Sequence, residues 1–96
     1  PKADITNKIH VEFEGYSLNE QNSLVQFVKN HMKTIGLTPV NEYSGGCTDA
    51  NIFNKNGIQS VVVGMGTYDM HTKQECAIID ELVNTTKFCL STISKQ

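Results

Sequence analysis

The sequence predicts an α/β fold in which helices cover both faces of a mainly parallel β-sheet, a three-layer arrangement. Strand-like and helix-like segments alternate along the 96 residues, as in folds built from right-handed crossover connections. Residues Val61 to Val63 form an apolar run without polar alternation, which is typical of strands buried on both faces of a parallel sheet. Residues 9–13 alternate apolar and polar side chains, which indicates a half-exposed strand belonging to another layer or another domain.

The first helix is predicted from apolar residues that recur at helical spacing between positions 24 and 35. Gly36 follows them, where a helix C-terminus favours a residue with a left-handed backbone. Ser17 has capping-box spacing to an acidic residue, although Asn19 or Asn22 could cap the helix instead. The start of this helix therefore has three candidate caps.

The remaining elements follow in chain order: a strand at 38–43, a short helix through 56, a strand at 58–64 and a C-terminal helix from 79 to 93. Thr48 or Asp49 could cap the short helix, and Gly57 stops it. The loops 44–49 and 64–76 each leave the carboxyl end of a strand, where open parallel sheets bind their ligands. If the two strands are neighbours, these loops line one crevice.

Composition excludes several classes of protein. Apolar residues make up 39% and charged residues 19%, as in a folded globule, and the net charge of -2 gives no reason to expect nucleic acid as a partner. No apolar run approaches the roughly 20 residues needed to cross a membrane. The 3 cysteines are an odd number without CxxC spacing, which favours reduced thiols and a cytoplasmic location.

The stretch SGGCTDANIF, residues 44–53, is the first candidate for a functional loop. Gly45 and Gly46 permit a sharp turn, and the N–H groups at the start of the following helix favour an anion. The spacing matches neither a phosphate-binding loop nor a dinucleotide-binding fingerprint. Both a structural turn and a ligand-contacting loop remain open from the residues alone.

His71 is the second candidate, because it lies in a long connection among Asp69, Thr72 and Glu75. A neutral imidazole can bind zinc or act as an acid or base, although a histidine in a loop is more often solvated or hydrogen-bonded. Zinc needs roughly three or four protein ligands, and the sequence shows no second convincing one nearby. Cys47 with His71 as its base, a cysteine hydrolase, is a weaker alternative.

The two loops together, GGCTDANIFNKNGI and VVVGMGTYDMHTKQE, resemble the C-terminal part of the M20 family of zinc metallopeptidases, and most of all its tripeptidase-like members. The segment VEFEGYSL resembles the last strand of the family's lid domain, so the resemblance covers roughly residues 9–95. It implies that residues 1–15 end a lid or dimerisation domain. Residues 16–96 would form the C-terminal part of the catalytic domain.

Carried over residue by residue, His71 matches the family's last metal-ligand histidine. Gly45, Gly46, Thr48 and Asp49 match a loop that borders the substrate site. The resemblance implies two zinc ions in the full-length parent, with the general base and the other ligands supplied by an N-terminal region that is not in this sequence. No catalytic residue is therefore assigned within the chain.

The function expected from the resemblance is hydrolysis of short peptides by metal-activated water in the parent, with this C-terminal fragment inactive alone. The alternative is a non-enzymatic α/β interaction module that self-associates through its exposed N-terminal strand. Because that strand has lost its neighbours in either case, a homo-oligomer is expected.

Overall fold

The computed structural model describes residues 2–94, which form three helices and a two-stranded sheet. In chain order the elements are α1 (Ser23–Thr34), α2 (Asp49–Lys55), β1 (Thr67–Tyr68), β2 (Cys76–Ala77) and α3 (Ile79–Ile93). Helices α1 and α3 pack against each other, and β1 pairs with β2 in antiparallel orientation. All three predicted helices are thus present, close to their expected positions.

The start of α1 is capped by Asn22, one of the three candidates. Its side-chain Oδ1 accepts hydrogen bonds from the backbone N–H groups of Leu24, at 2.9 Å, and Val25, at 3.4 Å. At the other end Gly36 has a φ of 83° and donates its N–H to the carbonyl of Lys33 at 3.0 Å. Local capping chemistry therefore fixes both ends of this helix.

Replacing Asn22 by alanine should destabilise α1 by about 1 kcal/mol, because the first-turn N–H groups lose their acceptor. The loss can be measured as a lower melting temperature of the helical signal in circular dichroism. Ser17→Ala is the matched control, since the Ser17 side chain makes no hydrogen bond within residues 2–94. Equal effects of the two variants would contradict the assignment of the cap.

The contact between α1 and α3 includes a polar link. His31 is buried, and its Nδ1 lies 2.9 Å from the hydroxyl oxygen of Ser91. The aromatic ring of Phe27 stacks at a tilt on the His31 ring, with centroids 4.3 Å apart. His31 is therefore a packing residue, and the buried apolar side chains Val25 and Phe88 belong to the same pair of helices.

The predicted mainly parallel sheet is not formed within residues 2–94. The segments 9–13, 38–43 and 58–64 form no strand and make no backbone–backbone hydrogen bond to one another. The one sheet in the described part of the chain is the antiparallel pair β1–β2. A strand is defined by the ladder of hydrogen bonds that it makes with a neighbour, so these segments do not count as strands within residues 2–94.

Much apolar surface faces outward. These large apolar residues are more than half exposed: Ile5, Ile9, Val11, Val40, Tyr43, Ile58, Val62, Met65, Met70, Ile79, Leu90 and Ile93. The radius of gyration is 18.1 Å, whereas a compact domain of this size has one of about 13 Å. So large an exposed apolar area ordinarily marks a surface that another polypeptide segment covers.

Helices long and apolar enough to span a bilayer are absent from residues 2–94.

Candidate functional site

His71 lies in a turn that joins the two strands of a short hairpin, residues 67–77. Thr67 is opposite Ala77 and Tyr68 is opposite Cys76. The sequence predicts only a long connection in this region, so the hairpin is a new finding. Its consequence is that His71 is held between two paired strands and not on a free loop.

Hydrogen bonds within the turn fix its shape. Thr72 donates its hydroxyl to the carbonyl of Asp69 at 2.7 Å. The carboxylate of Glu75 accepts the backbone N–H of His71 at 2.7 Å. Asp69 and His71 both adopt left-handed backbones, with φ of 50° and 67°. Such conformations are uncommon outside glycine, although aspartate and histidine tolerate them better than most residues.

The imidazole of His71 is exposed and has no hydrogen-bond partner within residues 2–94. The residue's one bond there uses its backbone N–H, so Glu75 orients the main chain and leaves the ring free. Both ring nitrogens are thus unpaired within the described residues, whereas a metal-binding histidine needs one of them free and usually donates the other N–H to a neighbour. This is the arrangement expected for a histidine whose partners lie elsewhere.

Helix α3 anchors the hairpin. The Tyr68 hydroxyl donates to the Glu81 carboxylate, with O–O distances of 2.8 and 2.9 Å, and the N–H of Ile78 donates to the carbonyl of Gly66 at 3.1 Å. The hydrogen bond to Glu81 raises the pKa of the Tyr68 phenol above its usual value. Because a raised pKa favours the protonated phenol, the anchor is complete below about pH 10 and is lost as pH rises through the raised value.

The second candidate loop, residues 44–49, leads into α2. Gly45 and Gly46 are exposed, and neither has a positive φ, so the sharp left-handed turn that glycine permits is not used here. Thr48 caps α2 by accepting the N–H of Ala50 at 3.2 Å, and the side chain of Asn51 accepts the N–H of Thr48 at 3.0 Å. The Thr48 hydroxyl therefore has a structural role in ending the loop.

Two asparagines that the sequence analysis did not single out fix the position of α2. The buried Asn51 donates its amide to the carbonyl of Glu14 at 2.9 Å. Asn54 donates to the carbonyl of Ser60 at 2.8 Å and accepts the N–H of Ser60 at 3.1 Å. Their spacing places both on one face of the helix, a signal that could have identified them.

The two candidate loops are not joined by hydrogen bonds in the described part of the chain, and Cys47 makes none to His71 there. A groove of about 670 Å³ lies between the segments 37–42 and 63–70, with Met32 and Phe88 also in its wall. Neither His71 nor the loop 44–49 lines this groove. This groove therefore does not unite the two loops, and the crevice that they would share stays a prediction.

Zinc is held by about three or four protein ligands. Within residues 2–94 no three His, Cys, Asp or Glu side chains are grouped so that they could hold a metal ion. The described part of the chain therefore does not by itself form a zinc site. What it offers is one accessible imidazole on an anchored hairpin.

The fold corresponds to that of a class of peptidases. The chain belongs to the peptidase family M20/M25/M40, whose model matches residues 3–95. It is similar to the crystal structure of aminopeptidase PepT from Bacillus cereus ATCC 10987, with a TM-score of 0.81 and 30% identity, over 88% of this chain and 22% of that one. It is also 31% identical to the uncharacterized protein YqjE of Bacillus subtilis (strain 168), in an alignment of 97 positions that covers 97% of this chain.

The chain spans only about a quarter of the length of these relatives, 26% of YqjE and 22% of PepT. The likeness to PepT supports an α/β peptidase fold, which agrees with the fold class predicted from the sequence. The region matched in PepT is therefore a small part of that chain.

Proposed function

We propose that this chain is the C-terminal part of the catalytic domain of a metal-dependent exopeptidase that hydrolyses short peptides, as tripeptidases and aminopeptidases do. The observation that carries the proposal is the structural likeness to aminopeptidase PepT, which extends over 88% of the chain at a TM-score of 0.81. Membership of the peptidase family over residues 3–95 supports the same class of activity.

Within this proposal, His71 is one ligand of a site that holds two zinc ions. Its free imidazole on a hairpin anchored to α3 supports that role, because metal ligands are most effective when the backbone that carries them is held rigidly. The other ligands belong to parts of the parent outside residues 2–94. Zinc, when bound, would supply activation of water for attack on the peptide bond.

The loop that contains Gly45, Gly46, Thr48 and Asp49 borders the substrate in this proposal. Support comes from its exposure and from the capping box, which holds the start of α2 in one conformation. A loop without side chains at two successive positions allows a peptide backbone to approach closely. The peptide would therefore contact the main chain at Gly45 and Gly46.

The unpaired segments support a larger parent sheet. Residues 38–43 and 59–64 leave their backbone N–H and C=O groups without backbone partners within residues 2–94, and these segments flank much of the 670 Å³ groove. Buried backbone groups require hydrogen bonds, so neighbouring strands from the parent would complete a mainly parallel, three-layer sheet here.

Residues 1–15 would end the lid domain, and residues 16–96 would belong to the catalytic domain. The exposed free thiols of Cys47, Cys76 and Cys89 suit a reducing, cytoplasmic compartment.

The chain alone, supplied with zinc, is expected to leave tripeptides intact, because a single histidine cannot hold a catalytic metal. Peptide cleavage is followed by chromatography, and the full-length parent serves as the positive control whose activity a chelator should abolish. Turnover by the chain alone that survives the chelator and disappears in Cys47→Ser would refute the proposal in favour of a thiol mechanism.

A further inference from the structure

Asn56 and Gly57, at the C-terminal end of α2, form the single Asn–Gly pair of the sequence. In such a pair the backbone nitrogen of the glycine can attack the Cγ atom of the asparagine side chain, because the glycine has no Cβ to shield that nitrogen. Both residues are exposed to solvent. Of all the asparagines in the chain, Asn56 therefore has the neighbour that best permits reaction with its own backbone.

A Schellman cap at the end of α2 engages the nitrogen that would attack. The N–H of Gly57 donates to the carbonyl of Asn54 at 3.1 Å, and the N–H of Ile58 donates to the carbonyl of Phe53 at 2.9 Å. Gly57 has a φ of 81°, the left-handed conformation that this cap requires. The N–H group that must lose its proton in the reaction is thus held by the helix end.

The side chain of Asn56 is also held away from the attacking nitrogen. Its amide donates to the carbonyl of Ile52 at 2.8 Å. Ring closure needs the Gly57 nitrogen on the same side of the Cα–C bond as the Cβ of Asn56, but a ψ of 16° places it beside the Asn56 backbone nitrogen instead. Attack on Cγ therefore requires a large rotation about this bond, which would break the cap.

We propose that Asn56 is a deamidation site and that the Schellman cap of α2 gates it. When the cap opens, the Gly57 nitrogen loses its proton and bonds to the Cγ of Asn56, and the side-chain nitrogen leaves as ammonia. Water then opens the succinimide ring. Cleavage of the bond from nitrogen to Cγ gives aspartate, and cleavage of the bond from nitrogen to the backbone carbonyl carbon gives isoaspartate. The reaction consumes only water, and the inference is independent of the proposed peptidase function.

Both products alter the end of α2. Each places a carboxylate next to the C-terminal carbonyl groups of a helix, where negative charge is unfavourable. Isoaspartate also routes the backbone through Cβ, so one additional carbon separates the helix from Gly57 and the cap cannot re-form with the same bonds. Asn54 holds the backbone of Ser60 from the last turns of the same helix, so the segment after α2 would be released as well. The modification would thus permanently mark molecules in which the cap has opened.

A comparison of rates tests the site and its gate. The full-length protein that contains this chain and the peptide FNKNGIQS, residues 53–60, are incubated side by side at mildly alkaline pH. Digestion at acidic pH and mass spectrometry then follow the replacement of the Asn56 amide by a carboxyl group. Deamidation in the folded protein should be at least about tenfold slower than in the peptide, because only the open state reacts. Equal rates would overturn the gate, and an unmodified Asn56 in a protein whose other asparagines have reacted would overturn the site.

Asn54→Ala tests the gate within the folded protein. The change removes the bonds to Ser60 and leaves the reacting pair intact, so the cap should open more often and deamidation should accelerate about tenfold. Gln59→Ala is the matched control, since Gln59 is exposed near the cap and its side chain makes no hydrogen bond within residues 2–94. Asn56→Gln should abolish the reaction, because the larger ring closes much more slowly. Equal rates in Asn54→Ala and Gln59→Ala would contradict the proposal.

Hydrogen exchange of the Gly57 amide provides a test that needs no variant. Its exchange and the deamidation of Asn56 both require the bond from Gly57 to Asn54 to open. The factor by which folding slows exchange, relative to the peptide, should therefore match the factor by which it slows deamidation. Deamidation that proceeds as fast as in the peptide while the Gly57 amide stays protected would show that the cap does not control the reaction.

Discussion

His71→Ala in a full-length peptidase that contains this chain should lower peptide hydrolysis more than about 100-fold. Changes to groups that merely support metal ligands cost about 10–100-fold in metal affinity or activity, so loss of a ligand itself should exceed that range. The exposed ring makes no hydrogen bond within residues 2–94, so the loss of stability should be limited to the roughly 1–2 kcal/mol that the left-handed backbone costs an alanine at this position. The measurement is kcat/KM for a tripeptide, together with zinc content per protein molecule by mass spectrometry.

Lys73→Ala is the matched control, because Lys73 is exposed in the same turn and its side chain has no partner within the described residues. It should leave both zinc content and hydrolysis close to those of the parent. Circular dichroism should report the same fold for both variants. A His71→Ala protein that retains its full zinc content and activity would remove His71 from the metal site.

Gly66→Ala is expected to have the largest effect on stability, a loss of about 2 to 3 kcal/mol in the attachment of the hairpin. Gly66 has a φ of 79°, which is strained for any residue with a Cβ. A methyl group there would also meet the Cβ of Glu81 and its Oε2, the latter at 2.8 Å. Because Glu81 holds Tyr68, the clash would loosen the hairpin that carries His71.

Hydrogen exchange of the Ile78 amide measures this attachment directly, because that N–H donates to the carbonyl of Gly66. Exchange should accelerate about 30- to 150-fold in Gly66→Ala, the factor that corresponds to the expected free energy. Gly64→Ala provides the comparison, since no atom lies within 4 Å of a Cβ added there and its φ is not positive. Similar exchange rates in the two variants would argue against the role given to Gly66.

The helices could be predicted from sequence because their hydrogen bonds are made within the segment itself. The apolar spacing of α1, its Gly36 terminus and the capping of α2 by Thr48 are all local features. The choice among Ser17, Asn19 and Asn22 as the cap of α1 was not predictable, because all three residue types accept the same bonds and only the backbone geometry selects one.

The sheet was less predictable, because a strand takes its partner from a distant segment. The run from Val61 to Val63 predicts a buried strand but carries no information on which strand lies beside it, and within residues 2–94 it forms no strand and leaves Val62 53% exposed. The hairpin was missed because each of its strands has only 2 residues, too few for a periodic pattern. Local bonds such as that from Thr72 to Asp69 define it instead.

Sequence similarity identified His71 as a candidate, but the sequence could not show how it is held. The left-handed backbones at Asp69 and His71, and the bond from the His71 N–H to Glu75, are properties of the folded turn. Aspartate and histidine are enriched in this conformation, which is a faint local signal for such a turn. How close His71 lies to the loop 44–49 depends on tertiary structure, which no motif records.

The left-handed backbone at His71 limits which residues can replace it during evolution or redesign. Among the side chains that bind zinc, histidine and aspartate tolerate that conformation better than most residues. A cysteine there would cost roughly 1–2 kcal/mol of conformational free energy. In the metal site proposed for His71, a change of metal preference would therefore be easier toward oxygen ligands, which favour harder cations, than toward thiolates. Under that proposal, the shape of one turn restricts the metals that descendants of the protein could come to use.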